Sequence, residues 1–182
     1  MEEKTFSYFR IKTECTVEEP NGSLAKKKIE ELVLATSYTE AETLVHEIIS
    51  SLNRTQFGSV SYEITKTKIS DVLYNEILSQ QDELLKGFCC NYFEEEETSG
   101  EGLYSVKVIF LTLDERTAKE KQTTEVFYVP ARSNADATNR ISQYLKSNMQ
   151  DFVIRDCKFD KAEAIYWPLD EHKRKVSEFD QN

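Results

Sequence analysis

Glycine and proline are scarce in this chain of 182 residues, with five and three copies. A backbone cradle for phosphate needs several glycines together, so phosphate-binding and dinucleotide loops are excluded. No G-x-S-x-G elbow occurs, which removes that route to a nucleophilic serine. Histidine appears only at His46 and His172, too far apart for a local metal motif. The four cysteines are Cys15, Cys89, Cys90 and Cys157. Cys89-Cys90 is an adjacent pair, not C-x-x-C, and neighbours on an extended segment point to opposite faces. No apolar run reaches the roughly 18 residues of a membrane span. Met1-Glu2-Glu3-Lys4 has no apolar stretch behind it, so no secretory signal is read and a cytoplasmic setting is expected. Positive charge is also short: 23 Lys and Arg face 33 Asp and Glu, a net charge of −10. That balance disfavours a non-specific nucleic-acid surface.

What is present is a pattern given twice. Phe9, Ile11, Thr13, Cys15 and Val17 alternate along an extended run, and a polar turn follows at Pro20-Asn21-Gly22-Ser23. A second run ends in Leu32-Val33-Leu34, and Ser37 opens a helix with Glu40 three residues on, the capping-box pattern. Later, Tyr104, Val106, Val108 and Phe110 alternate, a polar turn spans Glu115–Lys119, and Val126–Val129 forms the next run. Ser133 or Asn134 then caps a second helix. Ala35, Ser37 and Ala41 match Ala131, Ser133 and Ala137 at one constant offset. These runs predict strands at about 6–18, 26–35, 59–69, 103–114, 122–130 and 152–160, and helices at about 38–53 and 134–148. The fold class is α+β: a tandem duplication of a ββαβ unit, with mainly antiparallel sheets, helices packed on one face, and a helical linker.

The expected organisation is a first unit at 1–70, a linker at 71–102, a second unit at 103–169 and a polar tail at 170–182. Val72, Leu73, Ile77, Leu84 and Leu85 suggest a linker helix over about 71–86, and Glu94–Glu97 with Thr98–Gly102 reads as an acidic loop. From about residue 170 the tail is expected to be mobile or loosely docked.

Chemistry-bearing residues are sparse. Asp114-Glu115 and Glu94–Glu97 are grouped carboxylates, but acid–base work needs one carboxylate desolvated beside another, and these read as a charged turn and a charged loop. Cys89 or Cys90 with His46 lacks an orienting partner. No catalytic residue, metal ligand or cofactor site is assigned, and the chain reads as a non-enzymatic binding protein. An unknown protein partner is the first expectation, with Phe88, Tyr92 and Phe93 as an aromatic contact patch beside the acidic run. Self-association into a homo-oligomer fits the same reading. The second expectation is single-stranded nucleic acid on a basic and aromatic sheet face made of Lys26, Lys28, Tyr62, Lys66, Lys68, Arg155 and Lys158, with Tyr8, Tyr104 and Tyr128 interleaved. The competing account of those residues is an ordinary solvated face with core aromatics, because Glu30, Glu31, Glu63 and Glu120 dilute the field. No membrane partner is expected.

Three phrases together carry a resemblance. Thr112-Leu113-Asp114-Glu115 after an apolar strand, Lys119-Glu120-Lys121 before the next, and Ser37-Tyr38-Thr39-Glu40-Ala41-Glu42 at a helix start resemble domain-of-unknown-function family 4494. The likeness covers about 6–167, and the 75–100 stretch is longer than that family's usual connector. The resemblance implies a small cytoplasmic protein of gut Bacteroidetes or their phages, and it implies no catalytic residues.

With no export signal, the thiols are expected to be unbridged. Alkylation without reductant followed by mass spectrometry should label all four cysteines; a disulfide-linked peptide pair would contradict the compartment assigned here.

Overall fold

Apolar alternation passes directly into strands. The structure is a computed structural model that describes residues 4–80, 83–85, 87–94, 100–147 and 150–181. It is α+β, with mostly antiparallel strands. In chain order the elements are β1 (Ser7–Glu18), β2 (Leu24–Ala35), α1 (Tyr38–Ser51), β3 (Ser61–Lys66), β4 (Asp71–Val72), α2 (Glu76–Gln80), β5 (Glu83–Leu85) and β6 (Phe88–Tyr92). Then come β7 (Gly102–Asp114), β8 (Lys119–Ala131), α3 (Asn134–Leu145), β9 (Asp151–Asp160), β10 (Ala164–Pro168) and α4 (Leu169–Asp180). One sheet has the order β3-β1-β2-β10-β6-β5 and the other β4-β8-β7-β9.

The chain forms two units. The first gathers residues up to Thr67, those between Gln81 and Tyr92, and those from Ala162 onward; the second takes Lys68–Gln80 and Phe93–Lys161. In the first, α1 covers the sheet face that carries Phe9, Ile11, Val33 and Tyr166, through Ala41, Val45 and Ile48. In the second, α3 covers Tyr104, Val106, Val108 and Phe127 through Ala137, Ile141 and Leu145. Both helices begin alike. The Ser37 side chain accepts from the Glu40 N–H at 3.1 Å, and the Glu40 carboxylate accepts from the Thr36 N–H at 3.1 Å. Ser133 accepts from the Asp136 N–H at 3.0 Å, and Asp136 accepts from the Arg132 N–H at 3.0 Å. Each start satisfies its orphan donors with the residue types that the capping signal requires.

A buried charge cluster ties the first unit together. Glu31 sits on the helix side of β2 with 2 % exposure. Arg54, from the turn after α1, donates to its two carboxylate oxygens at 2.6 and 2.7 Å. The Tyr166 hydroxyl of β10 donates to the same carboxylate at 2.5 Å. Burial pushes the Tyr166 phenol well above its ordinary range, and the Glu31 charge adds to that. Burial opposes the charge on Arg54, but the hydrogen bonds and field of Glu31 outweigh it and raise the guanidinium further. A second polar anchor lies in β10, where Trp167 Nε1 donates to Asn91 Oδ1 at 2.6 Å.

The structure departs from the sequence reading at the linker and the tail. The expected helix over 71–86 is a two-residue strand, the short helix α2 and another strand. Asn75 breaks the periodicity: its Oδ1 accepts from the Ile77 N–H at 3.0 Å and its Nδ2 donates to the Pro130 carbonyl at 3.0 Å. Residues 81, 82 and 86 of that stretch, 95–99 of the expected acidic loop, and 148 of the second expected helix lie outside the described residues. Residues 164–168, assigned above to the second unit, pair in the first sheet, parallel to β2 and antiparallel to β6. Ala164, Ile165, Tyr166 and Trp167 are all buried, so this segment needs cover on both faces and takes an interior position. The tail forms α4 instead of docking loosely. His172 is buried against Trp167, and the Lys175 ammonium lies 5.7 Å from the Trp167 ring centre.

Two stability outcomes follow. Arg54→Ala leaves the Glu31 carboxylate buried without its cation and should cost about 3–5 kcal/mol in a urea titration, much of it recovered when Glu31→Met and Arg54→Met are combined. Ala118 holds φ 55 in the β7–β8 turn, the conformation that Gly22 supplies at φ 84 in the β1–β2 turn. Ala118→Gly should therefore stabilise the protein by about 1 kcal/mol, and a loss of stability would contradict the strain assigned to Ala118.

Candidate protein-binding face

Strand parity sorts each sheet into a helix-covered face and an opposite face. In the first unit, Phe9, Ile11 and Thr13 lie on the α1 side, with Lys66, Ile64 and Tyr62 opposite them on β3. The opposite face carries Arg10, Lys12 and Glu14 on β1, Lys26, Lys28 and Glu30 on β2, and Glu63 on β3. Cations and carboxylates alternate there. Arg10 pairs with Glu30 at 3.1 Å, Lys12 approaches Glu30 at 4.0 Å, and Lys26 approaches Glu14 at 3.7 Å.

The corresponding face of the second unit carries a run of apolar residues bordered by polar ones, among them Glu120, Gln122, Asp151 and Asp156. β7 places Lys107, Ile109, Leu111 and Leu113 there. Val126, Thr124 and Gln122 of β8 lie opposite the first three, and Val153 of β9 lies opposite Ile109. Ile109, Leu111 and Val126 are half-buried, while Leu113 is 68 % and Val153 52 % exposed. An apolar group of this kind on a sheet face marks a contact surface more often than isolated exposed residues do.

The residues singled out from sequence are not assembled as expected. Lys26 and Lys28 lie on the face opposite to Tyr62 and Lys66, because residues of different parity on paired strands point apart. Lys68, Arg155 and Lys158 belong to the second unit. Lys158 sits 3.5 Å from Asp156. Tyr8, Tyr104 and Tyr128 are buried at 5, 4 and 7 % exposure, so none offers a ring for stacking. The Tyr62 hydroxyl donates to Glu42 at 2.9 Å and meets His46 Nε2 at 3.0 Å. Partial burial, then the bond to Glu42, holds that phenol above its ordinary range. The aromatic patch is corrected as well: Phe88 and Phe93 are buried at 1 and 8 %, and only Tyr92 is exposed, at 42 %. Phe88 packs edge-on to Tyr166 in the α1 core, which is where an apolar strand residue opposite β10 must point.

Two grooves among the described residues are lined by titratable groups. The larger groove, about 1010 Å³, is lined by residues that include Phe6, Glu40, Pro168, Glu171 and Arg174. Among its charged residues, Arg174 pairs with Glu171 and Glu178, and Glu40 caps the start of α1. A smaller groove of about 300 Å³ lies along Lys12, Glu14, Lys28 and Glu63. The most buried carboxylate, Glu31, lines neither and is saturated by Arg54 and Tyr166. Among the described residues, no group of three or more His, Cys, Asp or Glu is placed to hold a metal ion. No helix among them is long and apolar enough to cross a membrane. The open face of β7, β8 and β9 was missed in sequence reading, although Leu111, Leu113 and Val153 break the expected polar alternation. Read with the strand register, those three interruptions would have revealed it.

A family model described as Domain of unknown function (DUF4494) matches residues 7–169. No curated protein and no solved structure matches the chain.

Proposed function

Because the chain belongs to the family described as Domain of unknown function (DUF4494), we propose its role from its own geometry: a non-enzymatic protein-binding module whose contact surface is the open face of β7, β8 and β9. One observation carries the reading. At positions where the first unit has Glu14, Lys28, Glu30 and Ser61, the second has Ile109, Thr124, Val126 and Val153. The shared ββαβ order and the matched helix caps support a tandem duplication, so one ancestral face has diverged into a charged version and one in which apolar residues replace part of the charge. Solvated charge is the ordinary requirement of an uncovered sheet face, and its partial replacement by exposed apolar residues in one copy favours a partner there. The partner presents apolar side chains framed by basic ones, which suits a chain of net charge −10. The bacterial or phage setting implied by the resemblance belongs to this proposal.

The nucleic-acid reading has less support. Its lysines are divided between two faces of the first sheet and the second unit, and Lys26 and Lys28 on the open face stand among carboxylates, which does not favour a basic stripe along a phosphate backbone.

Leu113→Lys places a charge at the most exposed apolar position of the face. Fold and urea midpoint should be unchanged, because the side chain is 68 % exposed. Binding to the partner captured by wild-type protein, measured by calorimetry with the purified partner, should weaken by roughly tenfold or more. Retained affinity in Leu113→Lys would remove the face from consideration.

A further inference from the structure

β9 is the outer strand of the order β4-β8-β7-β9, and among the described residues no strand lies on its other side. Its sides are distinct. Phe152, Ile154, Cys157 and Phe159 pack on the α3 core, while Asp151, Val153 and Lys158 face the open side. Native edges are usually blunted by charge, proline or a bulge. In β9 those devices begin late. The register shifts between Lys107 and Val108, which leaves Arg155 as the extra bulge residue, and the Asp156–Lys158 pair follows it. Residues 151–154 ahead of the bulge are regular and contain Phe152, Val153 and Ile154 in succession.

We propose that two copies of the chain associate through antiparallel pairing of their β9 strands about a two-fold axis at Val153. The inference rests on the open-face reading above and names one occupant of that face's edge. An axis perpendicular to the sheet keeps both open faces on one side and pairs residues of like parity. Val153 then meets its own copy on the open face, and Phe152 meets Ile154 on the core side. Asp151 meets Arg155 of the other copy at both ends. Every cross-strand pair is apolar with apolar or acid with base, the combinations that stabilise antiparallel strands. Other centres lose this match. An axis at Ile154 puts Val153 opposite Arg155 and Phe152 opposite Asp156, and an axis at Phe152 puts Asp151 opposite Val153. The centred arrangement also joins the two apolar faces through adjacent Val153 side chains, so the contact surface becomes continuous across the pair.

Sedimentation equilibrium of the full chain, with charge exchanges at the two ends, tests the inference. The wild type should weigh twice the chain mass at high concentration and dissociate on dilution. Asp151→Arg sets arginine against Arg155 twice, and Arg155→Asp sets aspartate against Asp151 twice. Each single exchange should raise the dimer dissociation constant by roughly tenfold or more, and the double exchange, which restores opposite charges at both ends, should return it close to wild type. Circular dichroism checks that these exposed substitutions leave the fold intact. Hydrogen exchange at amides 151–155 should slow with protein concentration in the wild type. A monomer up to millimolar concentration, a dimer indifferent to the single exchanges, or no rescue by the double exchange overturns the proposal. These results are separable from the partner reading. A monomer whose Leu113→Lys variant still loses its partner refutes self-pairing alone, and a rescued dimer whose Leu113→Lys variant keeps full partner affinity refutes the partner reading alone.

Discussion

A single buried carboxylate sets the conditions for the first unit. Glu31 lies under α1, where an isolated charge would cost several kcal/mol, so the structure around it must supply compensation. Arg54 supplies the opposite charge from beyond the helix, and Tyr166 supplies a hydroxyl from near the other end of the chain. The helix must therefore end where Arg54 can reach inward, and β10 must lie beside β2. An apolar side chain at this position would ask for less, and the second unit illustrates it: Phe127 occupies the matching place and packs with Tyr144. That unit holds its sheet without an internal ion pair of this kind among the described residues.

The two units thus solve one packing problem with different chemistry, and the difference recurs on their outer faces. The first places charge inside, bound by hydrogen bonds, and charge outside, facing water. The second has an apolar interior, and its exterior sets Ile109, Leu111, Leu113, Val126 and Val153 among the polar residues. The matching registers of β1 with β2 and of β7 with β8 make the comparison meaningful, since corresponding positions are compared in both. The proposed contact surface depends on that contrast more than on any single residue.

The parts legible in sequence were those governed by local rules. Alternation in β1, β2, β7 and β8, the helical spacing of Ala41, Val45 and Ile48, and the caps Ser37 and Ser133 involve neighbours close in the chain, and the structure has them at the expected places. The misread parts depend on distant partners. Val72 and Leu73 have helical spacing relative to Ile77, but Val72 pairs with Tyr128, and nothing local announces that. Residues 164–168 follow the second unit in sequence and lie in the first sheet because an all-apolar strand needs cover on both sides. The docking of α4 was missed because the tail is polar in composition, although Leu169, Val176 and Phe179 fall at helical spacing on the side of the buried His172. The face itself was hidden for a related reason: Leu113 and Val153 become neighbours of one surface only when three strands are aligned.

The chain passes between its units four times, and its last strand is an interior one. A ribosome delivers residues in order, so the second unit receives its final residue at Lys161, before the first unit has received β10. The unit begun first is completed last. During synthesis the β1–β2 hairpin waits with one long edge unfilled and the Glu31 charge unmatched by Tyr166, and a truncated product would leave that edge exposed to strand exchange with its neighbours. Emergence of β10, more than growth of the N-terminal half, is then the moment at which the first sheet closes.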